Sequence, residues 1–215
     1  VRRLVDAHGA AEAVGLTLSE AQYDYVAEEA SPGVEVRLEG WQEHVPAGLY
    51  DAITSYGAFE HFAGDGSTGA QRVVAYRAFF ERCFGWLQPG GRLALETIAH
   101  DDAPDTAEPL GRGPLGDFVL QLFPESISPH LGELVLGFEP WFEVEVLRSD
   151  GADFARTFRA WMVRLRAHYA DARAVVGSET ARRFRRYFAS SEAQFRLRVL
   201  TNYRLVLRRR PVVRR

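Results

Sequence analysis

No lysine occurs anywhere in the chain, so all 26 basic residues are arginine. Against 29 acidic residues they leave a net charge of −3. That balance argues against a general nucleic-acid binder, which presents a basic excess to the phosphate backbone. Cysteine is scarcer still. The single Cys83 excludes a disulfide or a cysteine-based metal site within one chain, and its neighbours Phe79, Phe80 and Phe84 mark it as a small core residue. No apolar run approaches the roughly 20 residues needed to cross a bilayer. The opening Val1 to Asp6 also lacks the apolar segment of a secretory signal. The expected location is therefore the cytoplasm, with at most peripheral membrane contact. No His/Asp/Glu spacing suggests a metal. The first 40 residues also contain no G-x-G-x-x-G cluster, with which a doubly wound nucleotide-binding sheet grips phosphates after its first strand. Either the fold never had that loop, or the first strand and glycine loop lie upstream of Val1.

What is present is enough for a core. With 215 residues, 47% hydrophobic and 12% aromatic, the chain reads as one α/β domain with an insertion. Residues 1–100 form the sheet-bearing part, 101–140 a lid and substrate region, and 141–215 the final strands and helices. Val1 to Ala10 reads as a helix, Ala13 to Thr17 as a short buried strand, and a second helix, capped by Ser19 or Thr17 with Glu20 in its first turn, runs to about Ala30, ended by Ser31-Pro32-Gly33. Val34, Val36 and Leu38 alternate on one strand face. The stretch from Asp51 to Thr97 organises the rest: a strand to Ser55, a loop from Tyr56 to Phe62, a helix to about Trp86, a Leu87-to-Gly91 turn and a strand from Arg92 to Ile98. In open α/β sheets ligands sit beyond the carboxyl ends of strands, which directs attention to Tyr56–His61 and Glu96–Thr97. His100 to Gly116 reads as a loop or lid, and Phe118 to Phe123 as an apolar helical turn. Ile127 to Leu136 leads through a short helix, and Phe142 to Leu147 is a strand. Helices over Phe158–Tyr169 and Glu179–Phe195 then precede a last strand from Val199 to Arg208, which makes an antiparallel edge pair with the strand before it. The arginines concentrated after Arg156 fit either a GC-rich genome or a docking face for an anionic carrier or membrane surface.

Several blocks occur in a telling order: Val14-Gly15-Leu16-Thr17-Leu18-Ser19-Glu20-Ala21-Gln22, Gly40-Trp41, Gly57-Ala58-Phe59-Glu60-His61-Phe62, Leu87-Gln88-Pro89-Gly90-Gly91-Arg92, Leu122-Phe123-Pro124 and Phe154 to Trp161. Together they resemble the cyclopropane-fatty-acid synthase and mycolic-acid methyltransferase family over nearly the whole chain. The resemblance implies a Rossmann-like class I methyltransferase sheet with a helical lid insertion and S-adenosylmethionine as cofactor. Thr17, Leu18, Ser19 and Gln22 would border its methionine and ribose part, Gly40, Trp41 and Gln42 the adenine, and the Tyr56–Gly57 backbone the sulfonium. Trp41 has the flat apolar face that covers a purine, although packing on a neighbouring helix is the other reading. Gly57 suits close backbone approach.

Relatives that close cyclopropane rings grip a bicarbonate base with a glutamate matching Glu60, a histidine and a lid tyrosine. Here the last two positions are Glu96 and Phe154. A carboxylate and a phenyl ring would not hold an anion beside Glu60, which makes bicarbonate-dependent ring formation doubtful. Two carboxylates in a poorly solvated cleft cannot both ionise freely. Glu96 would then be the base, or the pair would bind a cation or orient an amine acceptor; the plain alternative pairs Glu96 with an arginine or solvent. His61 would orient Glu60, lie in the core, or act as a base. Phe154 and Phe123 are the expected substrate-facing residues. The function implied is methyl transfer to a hydrophobic acceptor, an acyl chain or natural product, lipid-borne or carrier-bound. Bicarbonate-dependent cyclopropanation of unsaturated lipid and a non-catalytic truncated remnant or partner subunit are the alternatives.

Overall fold

The computed structural model describes residues 1–29, 31–64, 66–101, 123 and 126–211. They form two compact units, Val1–Gly48 and Leu49–Arg215.

The first unit begins with α1 (Arg2–His8), which Gly9 ends in the left-handed conformation at φ 73°. β1 (Ala13–Thr17) and β2 (Val34–Leu38) pair in parallel, Ala13 opposite Val34 through Thr17 opposite Leu38. Between them α2 (Glu20–Glu28) is capped by the Ser19 hydroxyl, which accepts from the Gln22 N–H at 3.3 Å. Gly33 turns the chain into β2 at φ 78°, with the Ala11 carbonyl only 2.5 Å from where a Cβ would stand.

In the second unit, β3 (Tyr50–Tyr56) is followed by a single 3-10 turn (Phe59–His61), α3 (Gly69–Trp86) and β4 (Leu87–His100). Then come α4 (Leu131–Phe138), β5 (Phe142–Ser149), α5 (Gly151–Ala167), α6 (Tyr169–Arg196) and β6 (Leu200–Arg209). The sheet order is β3-β4-β6-β5, with β3 parallel to β4 and β6 antiparallel to both of its neighbours.

The expected antiparallel edge pair is present: β6 runs against β5, which lies at the margin, and its other side pairs with β4, its alternating side chains supplying a buried face. Three sequence expectations change. The strands form two separate ladders, one per unit, rather than one. The Leu87–Gly91 segment is the start of β4, not a free turn: Tyr50 already pairs with Leu87, and an irregularity before the Ala52–Arg92 pair absorbs Pro89, which has no N–H to donate. Gly91 is required there, since a Cβ would stand 3.0 Å from the Asp51 carbonyl. The last helices also start earlier than expected. α6 contains a break at Gly177 (φ 80°), and the second expected helix corresponds to the part after it. The expected Phe118–Phe123 helical turn and most of the 101–140 lid lie wholly or mainly outside the described residues, and α2 ends at Glu28, short of the expected Ala30.

The core covers one sheet face. Leu93, Leu95 and Ala99 of β4 and Leu205 and Leu207 of β6 are buried with Tyr76, Phe79, Phe80 and Cys83 of α3 and Leu134 and Phe138 of α4. Phe59 joins them, its ring 4.5 Å from Tyr76 and 5.6 Å from Phe80. Each such side chain contributes about 1.5–3 kcal/mol of burial, so the 3-10 turn that carries Glu60 is anchored by Phe59 beside it. Burial pushes the Cys83 thiol well up, which suits an inert core residue.

Candidate active site

Where β3 stops, a side chain continues its ladder. The Gly57 N–H donates to the Glu96 carbonyl at 3.3 Å, and the next free N–H of β4, that of Ile98, donates to Glu60 Oε1 at 2.6 Å. The Glu60 carbonyl accepts from the Ile127 N–H at 2.7 Å, so this residue is fixed at both ends. Glu60 is 8% exposed, and its second oxygen, Oε2, is buried with no hydrogen-bond partner among the described residues. A carboxylate with one oxygen tied and the other free in a dry setting carries strong local negative potential.

Glu96 is the group that feels it. It pairs in register with Tyr56, level with the end of β3, while β4 runs on to His100. Its carboxyl is raised above the ordinary carboxylate range, first by burial and second by the charge of Glu60. Asn202, Arg204 and the Gly57 N–H act in the opposite direction. Arg204 lies directly across from Glu96 in the ladder and reaches Asp150 Oδ2 at 3.4 Å, so its charge is shared. A third group sits within the field of Glu60: the Tyr187 phenol of α6 is raised by burial, with Glu60 adding to the shift and a Ser191 hydrogen bond opposing it.

His61 differs from two of its expected roles. It is exposed, so it is no core histidine, and its ring makes no polar contact with Glu60 among the described residues, so it does not orient that carboxylate. The 3-10 turn points the two successive side chains apart, one inward and one to solvent.

Gly57 has φ +60°, and a Cβ placed on it meets nothing within 4 Å, so open space faces its backbone. Tyr56 is 63% exposed beside it. In the first unit, Thr17, Ser19 and Gln22 come together at the carboxyl end of β1: Thr17 Oγ1 donates to Gln22 Oε1 at 2.8 Å and accepts from the Ser19 N–H at 3.1 Å. Leu18, between them, is an apolar side chain 79% exposed. At the end of β2, Gly40 is buried and its N–H donates to Glu43 at 2.9 Å, while Trp41 is half-buried and Gln42 exposed. Buried His44 meets Glu39 at 2.7 Å and braces this turn.

Phe154 belongs to α5, its ring 5.4 Å from Phe195. Phe195 stacks on Phe158 at 5.6 Å, Phe158 lies edge-on to Tyr187 at the same separation, and Phe123 is 5.4 Å from Tyr187. The two expected substrate-facing residues are thus joined through one aromatic cluster on α5 and α6.

Asn202, Arg204 and Tyr187 were not singled out from the sequence. They lie more than 90 residues beyond Glu96, and no local pattern announces a cross-strand partner. The alternation of β6 was the only available signal, and it required knowing which strand β6 joins.

The mycolic acid cyclopropane synthetase family model matches residues 1–205. Cyclopropane mycolic acid synthase 2 of Mycobacterium tuberculosis is 33% identical over 196 residues, covering 85% of this chain and 63% of that protein. The cyclopropane-fatty-acyl-phospholipid synthase of Escherichia coli is 26% identical, covering 91% of this chain and 47% of its own. The chain therefore spans about half to two thirds of the length of these relatives. Among solved structures, mycolic acid cyclopropane synthase CmaA1 complexed with SAH and CTAB superposes with a TM-score of 0.78 at 25% identity, covering 96% of this chain and 73% of that one. The fold is the Rossmann-like α/β fold of class I methyltransferases.

Proposed function

Because the chain belongs to the mycolic acid cyclopropane synthetase family, we propose that it carries out S-adenosylmethionine-dependent methyl transfer to a hydrophobic acyl acceptor, with Glu96 as the base. The observation that carries this reading is the Glu60–Glu96 pair: one carboxylate fixed by the Ile98 N–H with a free buried oxygen, the other raised by burial and by its neighbour.

The residues present suit the cofactor. Open space faces the Gly57 backbone, the Thr17–Ser19–Gln22 turn offers hydroxyl and amide groups, and half-buried Trp41 offers an aromatic face. Thr17, Leu18, Ser19 and Gln22 would hold the methionine and ribose part, Gly40, Trp41 and Gln42 the adenine, and Tyr56–Gly57 the region of the sulfonium. When bound, the cofactor supplies an electrophilic methyl group. The rest falls to the chain. Glu96 accepts the proton that the acceptor loses, and its raised affinity for protons makes it a stronger base than a free glutamate. Glu60, held in place, keeps negative charge beside the cationic centre that develops on the acceptor. The aromatic cluster from Phe123 to Phe154 supports the acyl chain and excludes water. His61, which is exposed, would stand at the mouth of the site.

A second reading, bicarbonate-dependent ring closure on an unsaturated chain, is favoured by Tyr187. A phenol within the field of Glu60 offers the hydroxyl that Phe154 lacks. One experiment separates the two. Turnover is measured with trideuteromethyl cofactor and an unsaturated acyl substrate, in buffer stripped of carbon dioxide and again with bicarbonate restored. Methyl transfer with Glu96 as base gives product retaining three deuterons and no response to bicarbonate. Retention of two, with strong stimulation by bicarbonate, would overturn Glu96 as the base, and absence of any turnover would overturn the enzymatic reading.

A further inference from the structure

A separate cavity of about 660 Å³ opens in the second unit where α5 begins, β6 begins and β4 ends. It shares no lining residue with the Glu60–Glu96 pair. Arg156 and Arg159, one turn apart on α5, line one side; Arg196 and Arg198, at the junction of α6 and β6, line the other. The lining carboxylates are Asp101 and Glu192. Arg198 meets Asp101 at 2.8 Å and Arg196 meets Glu192 at 3.5 Å, while Arg156 pairs with Asp153 just outside the cavity. Arg159 makes no ion pair among the described residues. Four guanidinium groups against three carboxylates leave a local positive excess in a chain whose net charge is negative. The lining also has an apolar part: Phe195, which stacks on Phe158 and touches Phe154.

The backbone adds to the case. Arg198 has φ 60°, the only non-glycine residue with positive φ among those described. Helices commonly end on a glycine in this conformation, because any other side chain costs about 1 kcal/mol there. An arginine at that position, paired with Asp101 at 2.8 Å, points to a use for the charge.

We propose that this cavity binds the phosphate of the acyl substrate, a phosphodiester at the arginine rim with the adjoining apolar part of the ligand over Phe195. Arginine forks match phosphate oxygens two at a time, which lysine cannot do. The volume lies within the range of small-molecule sites and exceeds what a bare phosphate fills. A lipid headgroup and a phosphopantetheine arm both present this chemistry. The identity of the ligand rests on the acyl-acceptor reading, but binding requires neither cofactor nor turnover and is tested apart from it.

The test is calorimetry on the whole chain with dihexanoyl-phosphatidylglycerol below its micelle concentration, with phosphopantetheine, and with monohexanoylglycerol, which has no phosphate. Wild type should bind at least one phosphate-bearing ligand and ignore the phosphate-free one. Arg159→Ala with Arg196→Ala should weaken that binding at least tenfold without moving the melting temperature, since both side chains are exposed. Arg159→Glu alone should do the same if the double variant folds poorly. Binding of the lipid identifies a headgroup source, and binding of phosphopantetheine alone a carrier source. Equal affinity in the variants, equal binding of monohexanoylglycerol, or no binding of either phosphate would overturn the proposal.

Discussion

The Arg72–Glu133 pair offers a stringent test of what holds the second unit together. Arg72 of α3 is wholly buried and Glu133 of α4 is 4% exposed. The guanidinium donates to Glu133 Oε1 at 2.6 and 3.0 Å and to the Ser67 carbonyl at 2.7 Å, while Glu133 Oε2 accepts the His130 N–H at 3.1 Å and so caps α4. Glu133→Ala removes the cap and leaves the wholly buried Arg72 guanidinium without its counter-charge. The stranded charge alone should cost about 3–5 kcal/mol, and the lost cap about 1 kcal/mol more. For a unit of this size 1 kcal/mol corresponds to roughly 2–4 °C, so the melting temperature should fall by about 8–24 °C. Arg72→Met should be nearly as harmful, because it leaves the carboxylate alone. Arg72→Met with Glu133→Leu removes both charges and fills the space, and should recover most of the loss. Thermal and urea melts of the four proteins give the answer. A single variant losing less than about 1 kcal/mol, or a double variant whose loss is the sum of the two, would refute the claim that desolvated charge governs this contact.

Four further outcomes follow from the site. The folded-state affinity of Glu96 for its proton exceeds the unfolded one, so its contribution to stability is intact below the ordinary carboxylate range and is lost as pH rises through the raised value; Glu96→Gln should therefore be more stable than wild type at neutral pH, with the difference vanishing in acid, as denaturation at a series of pH values will show. The same variant should lose about 10²–10⁴-fold in turnover with cofactor affinity nearly intact, and an unchanged rate would dismiss Glu96 as the base. Trp41→Ala should weaken S-adenosylmethionine binding by about 1–3 kcal/mol with little change in ligand-free melting temperature; a large melting shift at constant affinity would make Trp41 a packing residue. Gly57→Ala should cost about 1 kcal/mol for its positive φ, visible by urea titration, with a further loss confined to cofactor affinity.

Local chemistry was readable where the cause was local. Ser19 caps the helix that follows it, and the alternation of Val34, Val36 and Leu38 marks β2. Glu60 and Glu96 could be placed together because two strand ends of one parallel pair face the same way. Properties set by long-range register were hidden. Arg204 opposite Glu96 and the Arg72–Glu133 pair, 61 residues apart, depend on which surfaces meet, and periodicity within one segment carries no information on that. His61 misled because adjacency in sequence within a 3-10 turn sends successive side chains in different directions.

The place of β6 also bears on how the chain reaches this state. Residues 200–209 form the last element among those described, yet they fill the gap between β4 and β5. During synthesis the chain emerges from its amino end, so both neighbours exist before the strand that joins them does. Until β6 arrives, β4 and β5 each present an open row of peptide groups. Open edges of that kind recruit other chains. The pairings that β6 makes span more than 50 residues on one side and about twice that on the other, and loop closure on that scale is slow. Productive folding therefore waits on the carboxyl-terminal segment, and a substitution that weakens β6 will lower the yield of soluble protein well before it alters the equilibrium stability of molecules that have already folded.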